Sequence, residues 1–186
     1  MTHSNITDPN CNTIWLTGLS GAGKTTLAKN LQKYFDAILV DGDDIRNGIS
    51  KDLSFDNEGR MKNVSIAAHV CKIVNDSNKI AVAAMMSPLN EHREQAKAII
   101  GSVFLVYVAC DIGTLKKRDT KGLYKKFEDG ELKNMVGLDL SYDVPLDANI
   151  VVNTAQMTIK QCRDYIIESF CKYTKRIITN ESTRRK

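Results

Sequence analysis

Residues 13–35 leave this chain few ways to fold. Gly18-Leu19-Ser20-Gly21-Ala22-Gly23-Lys24-Thr25 fits G-x-x-x-x-G-K-[ST], a loop whose backbone N–H groups converge on one anion while the next helix adds its positive dipole end. The flanks agree. Thr13-Ile14-Trp15-Leu16-Thr17 is β-branched and apolar, as a buried strand is, and Thr26 to Phe35 carries apolar residues at helical spacing. Gly18, Ser20, Gly21, Ala22, Gly23 and Thr26 are therefore expected around a nucleotide's phosphates. Lys24 is expected to reach the β- and γ-phosphates and the Thr25 hydroxyl to ligate Mg²⁺. A plain glycine-rich turn between strand and helix would require neither the lysine nor the threonine.

Beyond the loop, strands and helices alternate, which predicts a mostly parallel five-stranded sheet, doubly wound, with helices on both faces. Further strands are expected at 37–40, 80–86, 103–108 and 149–152, and helices at 58–75, 91–100, 112–118 and 158–173. The stretch from Thr120 to Pro145 breaks the rhythm; rich in Lys, Gly and Asp and lacking a long apolar run, it reads as a mobile lid. The organisation predicted is a flexible leader over 1–12, one domain over 13–178 and a basic tail over 179–186.

Charge and cysteine content exclude several function classes. The net charge is +4, and Arg184, Arg185 and Lys186 supply three of those positives, so the body is near neutral and nucleic-acid binding is not expected. Five widely spaced cysteines, none paired at zinc-ligand spacing, favour a cytosolic protein. No stretch approaches the roughly 20 apolar residues of a membrane span. His69 and His92 lie in helices without a second ligand at useful spacing and His3 lies in the leader, so no metal role is assigned to them.

In open parallel sheets, ligands bind beyond the carboxyl ends of the strands. Those ends carry Asp41-Gly42-Asp43, Ser87-Pro88 and Asn153-Thr154, all expected on one rim with the glycine-rich loop. A carboxylate there either holds metal-bound water or takes a proton from an attacking hydroxyl. The alternative for Asp41 and Asp43 is capping of a helix starting near Asp44. Arg46, three residues after Asp43, is either its ion-pair partner or an anion contact.

Three segments together resemble the adenylyl-sulfate kinase family of P-loop kinases: residues 18–26, Asp41-Gly42-Asp43-Asp44-Ile45-Arg46-Asn47-Gly48, and Arg118-Asp119-Thr120-Lys121-Gly122-Leu123-Tyr124-Lys125-Lys126. The resemblance runs from about Thr13 to Thr154. It implies the doubly wound P-loop kinase fold and transfer of the ATP γ-phosphoryl group to the ribose 3′-hydroxyl of adenylyl sulfate. It also implies Mg²⁺, a small-molecule nucleotide partner and a homodimer. Carried over residue by residue, it makes Lys24, Asp41 and Ser87 the catalytic candidates, with Thr25 and Asp41 at the metal. Arg118 and Thr154 fall at the ATP base, and Lys121 in the lid over the phosphates. The acceptor is assigned to Asp43, Arg46, Phe55, Arg60, Asn63, Ser87, Lys121, Leu123, Lys133 and Met135, with Phe55 and Met135 on either side of its base.

The departures from the family pattern all lie on the acceptor side. The family's Ser-Pro-Tyr-Arg is here Ser87-Pro88-Leu89-Asn90, a lid phenylalanine is Met135, and Asp-Pro-Lys is Asp119-Thr120-Lys121. A thioether covers a base without the π-face that makes stacking worth ~1–3 kcal/mol. The resemblance also implies an alternative acceptor, since some relatives of the family phosphorylate another nucleotide in surface-polysaccharide synthesis, such as cytidine diphosphoramidate. A switch GTPase would need Asn-Lys-x-Asp after a late strand, where this chain has Asn153-Thr154-Ala155-Gln156. A binding module without catalysis is disfavoured by intact Lys24, Thr25 and Asp41.

Overall fold

The computed structural model describes residues 7–177. Residues 1–6 of the expected leader and the whole expected basic tail lie outside the described residues.

Strands β1 (Thr13–Thr17), β2 (Ile38–Asp41), β3 (Ala81–Ala84), β4 (Phe104–Ala109) and β5 (Ile150–Asn153) form one sheet in the order β2-β3-β1-β4-β5. Every pairing is parallel. Between them run α1 (Lys24–Phe35), α2 (Gly42–Asn47), α3 (Asn57–Asp76), α4 (Asn90–Ile100), α5 (Ile112–Arg118), α6 (Leu123–Glu128) and α7 (Ile159–Thr174). The doubly wound sheet predicted from the sequence is the one observed.

Both faces of the sheet are buried, which is why its strands read as continuous apolar runs. Ile14, Leu16, Val82 and Val106 point to one face and pack with Leu27 and Leu31 of α1 and Ile166 and Phe170 of α7. Trp15, Ala81, Ala83 and Leu105 alternate to the other face, under Val64, Ala67, Ala68 and Cys71 of α3 and Ala96 of α4. The alanines of β3 let α3 and α4 lie close to the sheet, and the register Leu16↔Ala84 sets the ends of β1 and β3 side by side.

Three boundaries differ from the sequence reading. Helix α2 begins at Gly42, two residues early, because Asp41 itself caps it by accepting the Asp43 N–H at 2.9 Å. The leader is tied down from Asp8 onward. Asp8 donates its N–H to the Tyr173 carbonyl at 2.8 Å, Cys11 is fully buried, and Arg176 donates to the Cys11 carbonyl at 2.9 Å. The region 120–145 is not irregular throughout: it contains α6, and it buries Tyr124, Met135 and Val136. There the Asp139 carboxylate accepts the N–H groups of Asn134 (2.8 Å) and Met135 (2.5 Å), and Gly137 (φ +90°) leaves room for Leu19 of the phosphate loop. A Cβ on Gly137 would sit 2.8 Å from a Leu19 methyl.

Gly18 is among the tightest of the described positions. Its φ is +152°, and a Cβ there would lie 2.4 Å from the Val108 carbonyl oxygen of β4. Backbone cannot retreat as a flexible side chain can. We expect Gly18→Ala to destabilise the fold by about 2 kcal/mol or more, a fall in melting temperature of about 4–8 °C for a chain of this size. Thermal unfolding followed by circular dichroism checks it; an unchanged midpoint would mean the β1–β4 approach is looser than this.

Candidate active site

The carboxyl ends of β1, β2, β3 and β5 open into one cleft of about 600 Å³. On one side it is lined by Ser20, Gly21, Gly23, Lys24, Thr25 and Thr26, on the other by Arg46, Phe55, Arg60 and Asn63, with Asp41 between. Asp43, Ser87, Arg118, Lys121 and Thr154 complete the predicted residues that line it.

The phosphate side follows from local geometry. Gly21 (φ +78°) and Gly23 (φ +97°) turn the loop so that α1 begins directly at Lys24, its first-turn N–H groups facing the cleft. Gly18 and Ala22 lie behind the lining, where they build the loop rather than face the cavity. The Lys24 ammonium donates to the carbonyls of Gly18 and Leu19, each at 2.8 Å. Its pKa is lowered to about 8, first by desolvation and then by the neighbouring Lys121 charge, with Asp43 and Asp41 opposing both. Tyr124 braces the loop by donating its hydroxyl to the Ser20 carbonyl at 2.9 Å. Arg118 donates to the Thr154 hydroxyl (3.0 Å) and carbonyl (2.6 Å), and the Thr154 hydroxyl donates to the Ala22 carbonyl at 2.9 Å. That relay closes the far wall of the phosphate side.

Asp41 stands at the junction. One carboxylate oxygen accepts the Asp43 N–H, and the other accepts the Thr25 hydroxyl at 2.7 Å. Capping and a place in the cleft were alternatives in the sequence; Asp41 does both at once. Two adjacent hard oxygen donors at the cleft floor suit Mg²⁺, which is held by one or two protein groups together with substrate phosphates. Among the described residues, no group of three or more His, Cys, Asp and Glu side chains forms a metal cage of its own.

The second side is basic and aromatic. Arg46 lies 4.5 Å from the Phe55 ring centroid and Arg60 5.8 Å from it. Arg46 is held by the carbonyls of Leu53 and Ser54, both 2.8 Å, so it is not the ion-pair partner of Asp43. Asp43 instead pairs with Lys121 across the cleft mouth. Arg60 donates to the Phe55 carbonyl (2.8 Å), and Asn63 is fixed by the Ser50 hydroxyl (2.5 Å). Phe55 is 64% exposed and lines the cleft.

Four of the sequence assignments are not brought together as expected. Met135 is only 6% exposed and belongs to the core packed behind the phosphate loop, so it does not face Phe55. Leu123 packs against the same core, and Lys133 is exposed; neither lines the cleft. Ser87 lines the cleft, yet its hydroxyl is enclosed: it accepts the Trp15 indole N–H at 3.1 Å and donates to the Thr17 hydroxyl at 3.2 Å. Its left-handed backbone (φ +36°) makes the turn that ends β3. The sequence reading also missed lining residues. Thr120, Met157, Thr158 and Ile159 face the phosphate side and Met85 and Met86 lie beside Ser87. Thr120 lies inside the resembling segment 118–126, and Thr158 carried a local signal as the start of a Thr-x-x-Gln capping box.

A family model described as adenylylsulphate kinase matches residues 10–153. The adenylyl-sulfate kinase of Clostridium kluyveri is 38% identical over 161 residues, 83% of this chain and 81% of the relative. That of Clostridium acetobutylicum is 40% identical over 161 residues, 83% of this chain and 80% of the relative. Among solved structures, the APS kinase CysC of Mycobacterium tuberculosis in complex with AMPPNP and APS superposes with a TM-score of 0.83 at 29% identity, covering 87% of this chain and 98% of that one.

Proposed function

The chain belongs to the adenylylsulphate kinase family, and on that premise we propose that it transfers the γ-phosphoryl group of ATP to the 3′-hydroxyl of adenylyl sulfate, releasing 3′-phosphoadenylyl sulfate and ADP. The observation that carries the reading is that one cleft joins two unlike halves across Asp41. One is a phosphate cradle and the other an arginine-flanked aromatic platform. A hydrolase or a switch protein has no use for the second half.

Phosphoryl transfer asks a protein mainly for positioning and charge stabilisation. The loop N–H groups and Lys24 fit a polyphosphate, while Phe55 offers the acceptor base a stacking face and Arg46 and Arg60 offset its anionic groups. Asp41, oriented by Thr25 and the Asp43 N–H, would take up the 3′-hydroxyl proton. Thr25 and Asp41 would hold Mg²⁺, which when bound would offset charge on the transferring group. The relatives that support the family favour adenylyl sulfate over cytidine diphosphoramidate as acceptor. ADP release should rise severalfold or more on adding adenylyl sulfate; equal release with and without it would leave only an ATPase.

The lid enters this proposal in a narrower form than the sequence suggested. Residues 134–140 are pinned by Asp139 and by Leu19 against Gly137, so closure belongs to 120–133, which carries Lys121. Hydrogen exchange in 120–133 should slow when ATP and acceptor are both present, while 134–140 stays protected throughout. No change in either segment would remove the lid from the mechanism.

No described helix is long and apolar enough to cross a membrane. Five unpaired cysteines, four of them buried, support a cytosolic setting. A homodimer is part of the proposal, two-fold pairing being the commonest closed symmetry. A solution mass other than twice 20.7 kDa would remove it.

A further inference from the structure

Arg93, on the first turns of α4, reads in the sequence as one more charge of a solvated helix, Asn90-Glu91-His92-Arg93-Glu94. It is instead 2% exposed, among the largest fully buried side chains of the protein. Burying a guanidinium is costly unless its donors are satisfied. Here the acceptors of Nη1 and Nη2 are neutral oxygens from two separate segments, while Nε is left without a partner among the described residues. Nη1 donates to the carbonyls of Ser87 (2.8 Å) and Pro88 (3.2 Å), and Nη2 donates to the Asp143 carbonyl (2.8 Å) and the Asn90 side chain. The guanidinium also lies 5.9 Å from the Tyr142 ring centroid.

Those contacts join two walls. Residues 87–88 follow β3 and line the cleft on its acceptor side, whereas 142–143 lie between α6 and β5, just past the pinned 134–140 segment. The junction is reinforced from both directions: the Asp143 N–H donates to the Pro88 carbonyl at 2.8 Å, and the Asn90 N–H donates to the Asp143 carboxylate at 2.9 Å. Tyr142 extends it to the base of the phosphate loop through a hydrogen bond with the Thr17 hydroxyl at 3.0 Å, and Thr17 also holds the Met86 carbonyl at 2.6 Å. Ser87 sits in the left-handed region and would not keep that turn unaided. Only a planar fork with several donors reaches carbonyls on two segments at once; a lysine ammonium is a single point charge.

We propose that Arg93 is a positioning residue for the acceptor. It fixes the Met86–Pro88 wall against the 142–143 segment, so that the acceptor's reacting hydroxyl is presented to the phosphate side. Arg93 touches no substrate in this account; it acts through the backbone it holds. The proposal rests on the kinase reading above for its kinetic arm and on geometry alone for its structural arm.

The test is Arg93→Lys, which keeps the charge and loses the fork. Misplacement of reacting groups by about an ångström costs up to about a hundredfold. kcat/KM for adenylyl sulfate should therefore fall between about tenfold and a hundredfold, with KM for ATP changed less than about twofold. Hydrogen exchange, measured without any acceptor, should speed up at 86–90 and at 142–145 together and nowhere else. Should Arg93→Lys fail to fold, Asn90→Ala removes one acceptor and leaves the guanidinium; it should show the same acceptor selectivity at smaller size. A parallel loss of ATP and acceptor kinetics, unchanged kinetics, or exchange that rises at one segment only would overturn the inference. Wild-type protein inactive on adenylyl sulfate would overturn the acceptor reading instead, and the exchange experiment would still decide the role of Arg93.

Discussion

Lys24→Ala is expected to lower kcat by at least about a hundredfold, the typical cost of removing one donor from a site where charge develops in the transition state. The fold should survive. The ammonium sits at the cleft and, among the described residues, hydrogen-bonds to the carbonyls of Gly18 and Leu19 in its own loop, so the melting temperature should move by no more than a few degrees. The wild type should carry a matching pH signature. With the Lys24 pKa lowered to about 8, chiefly by desolvation, the free enzyme loses this charge as pH rises through that value. Since kcat/KM reports ionisations of the free enzyme, kcat/KM for ATP should decline above about pH 8. It should be flat below that value as far as Lys24 is concerned. A variant keeping more than a tenth of wild-type kcat would detach the lysine from phosphoryl transfer.

Asp41→Asn should separate structure from chemistry more cleanly. The cap on α2 needs an oxygen acceptor for the Asp43 N–H, and asparagine caps helices about as well as aspartate. Stability should therefore change little. What disappears is the negative charge next to Thr25 and the ability to take up a proton, which general-base catalysis values at about 10²–10⁴-fold in rate. We expect kcat to fall in that range, with ATP binding weakened far less in the absence of Mg²⁺ than in its presence. If Asp41→Asn unfolded the protein, Asp41→Ser would retain a capping oxygen and allow the same measurement. Near-normal turnover in either variant would reduce Asp41 to a cap.

The sheet and the phosphate loop were legible because their signals are local. A strand buried on both faces must be apolar along its length, and a loop that wraps an anion must carry glycine and lysine at fixed offsets. Strand ends were legible only to within a residue or two, because polar residues such as Asp41 and Asn153 still pair in the sheet. The acceptor side was less legible. Met135 was assigned through the resemblance, at the place of the family's lid phenylalanine, yet its segment is fixed by Asp139 and by Leu19, more than a hundred residues earlier. The role of Ser87 turned on Trp15 and Thr17, each at least seventy residues away along the chain. Arg93 could not be told from a surface charge, since its acceptor at Asp143 is fifty residues on. Tyr124 lay inside the most informative segment of the resemblance but was passed over for Leu123, although its hydroxyl is what supports Ser20.

The most direct measurement is steady-state turnover of the wild-type protein with ATP and Mg²⁺, offering adenylyl sulfate and cytidine diphosphoramidate separately and identifying the products. ADP and 3′-phosphoadenylyl sulfate should appear in equal amounts with the first acceptor, and the second should give little above background. Phosphorylation of the cytidine nucleotide without turnover of adenylyl sulfate would contradict the acceptor reading, and ADP release that ignores both would contradict the kinase.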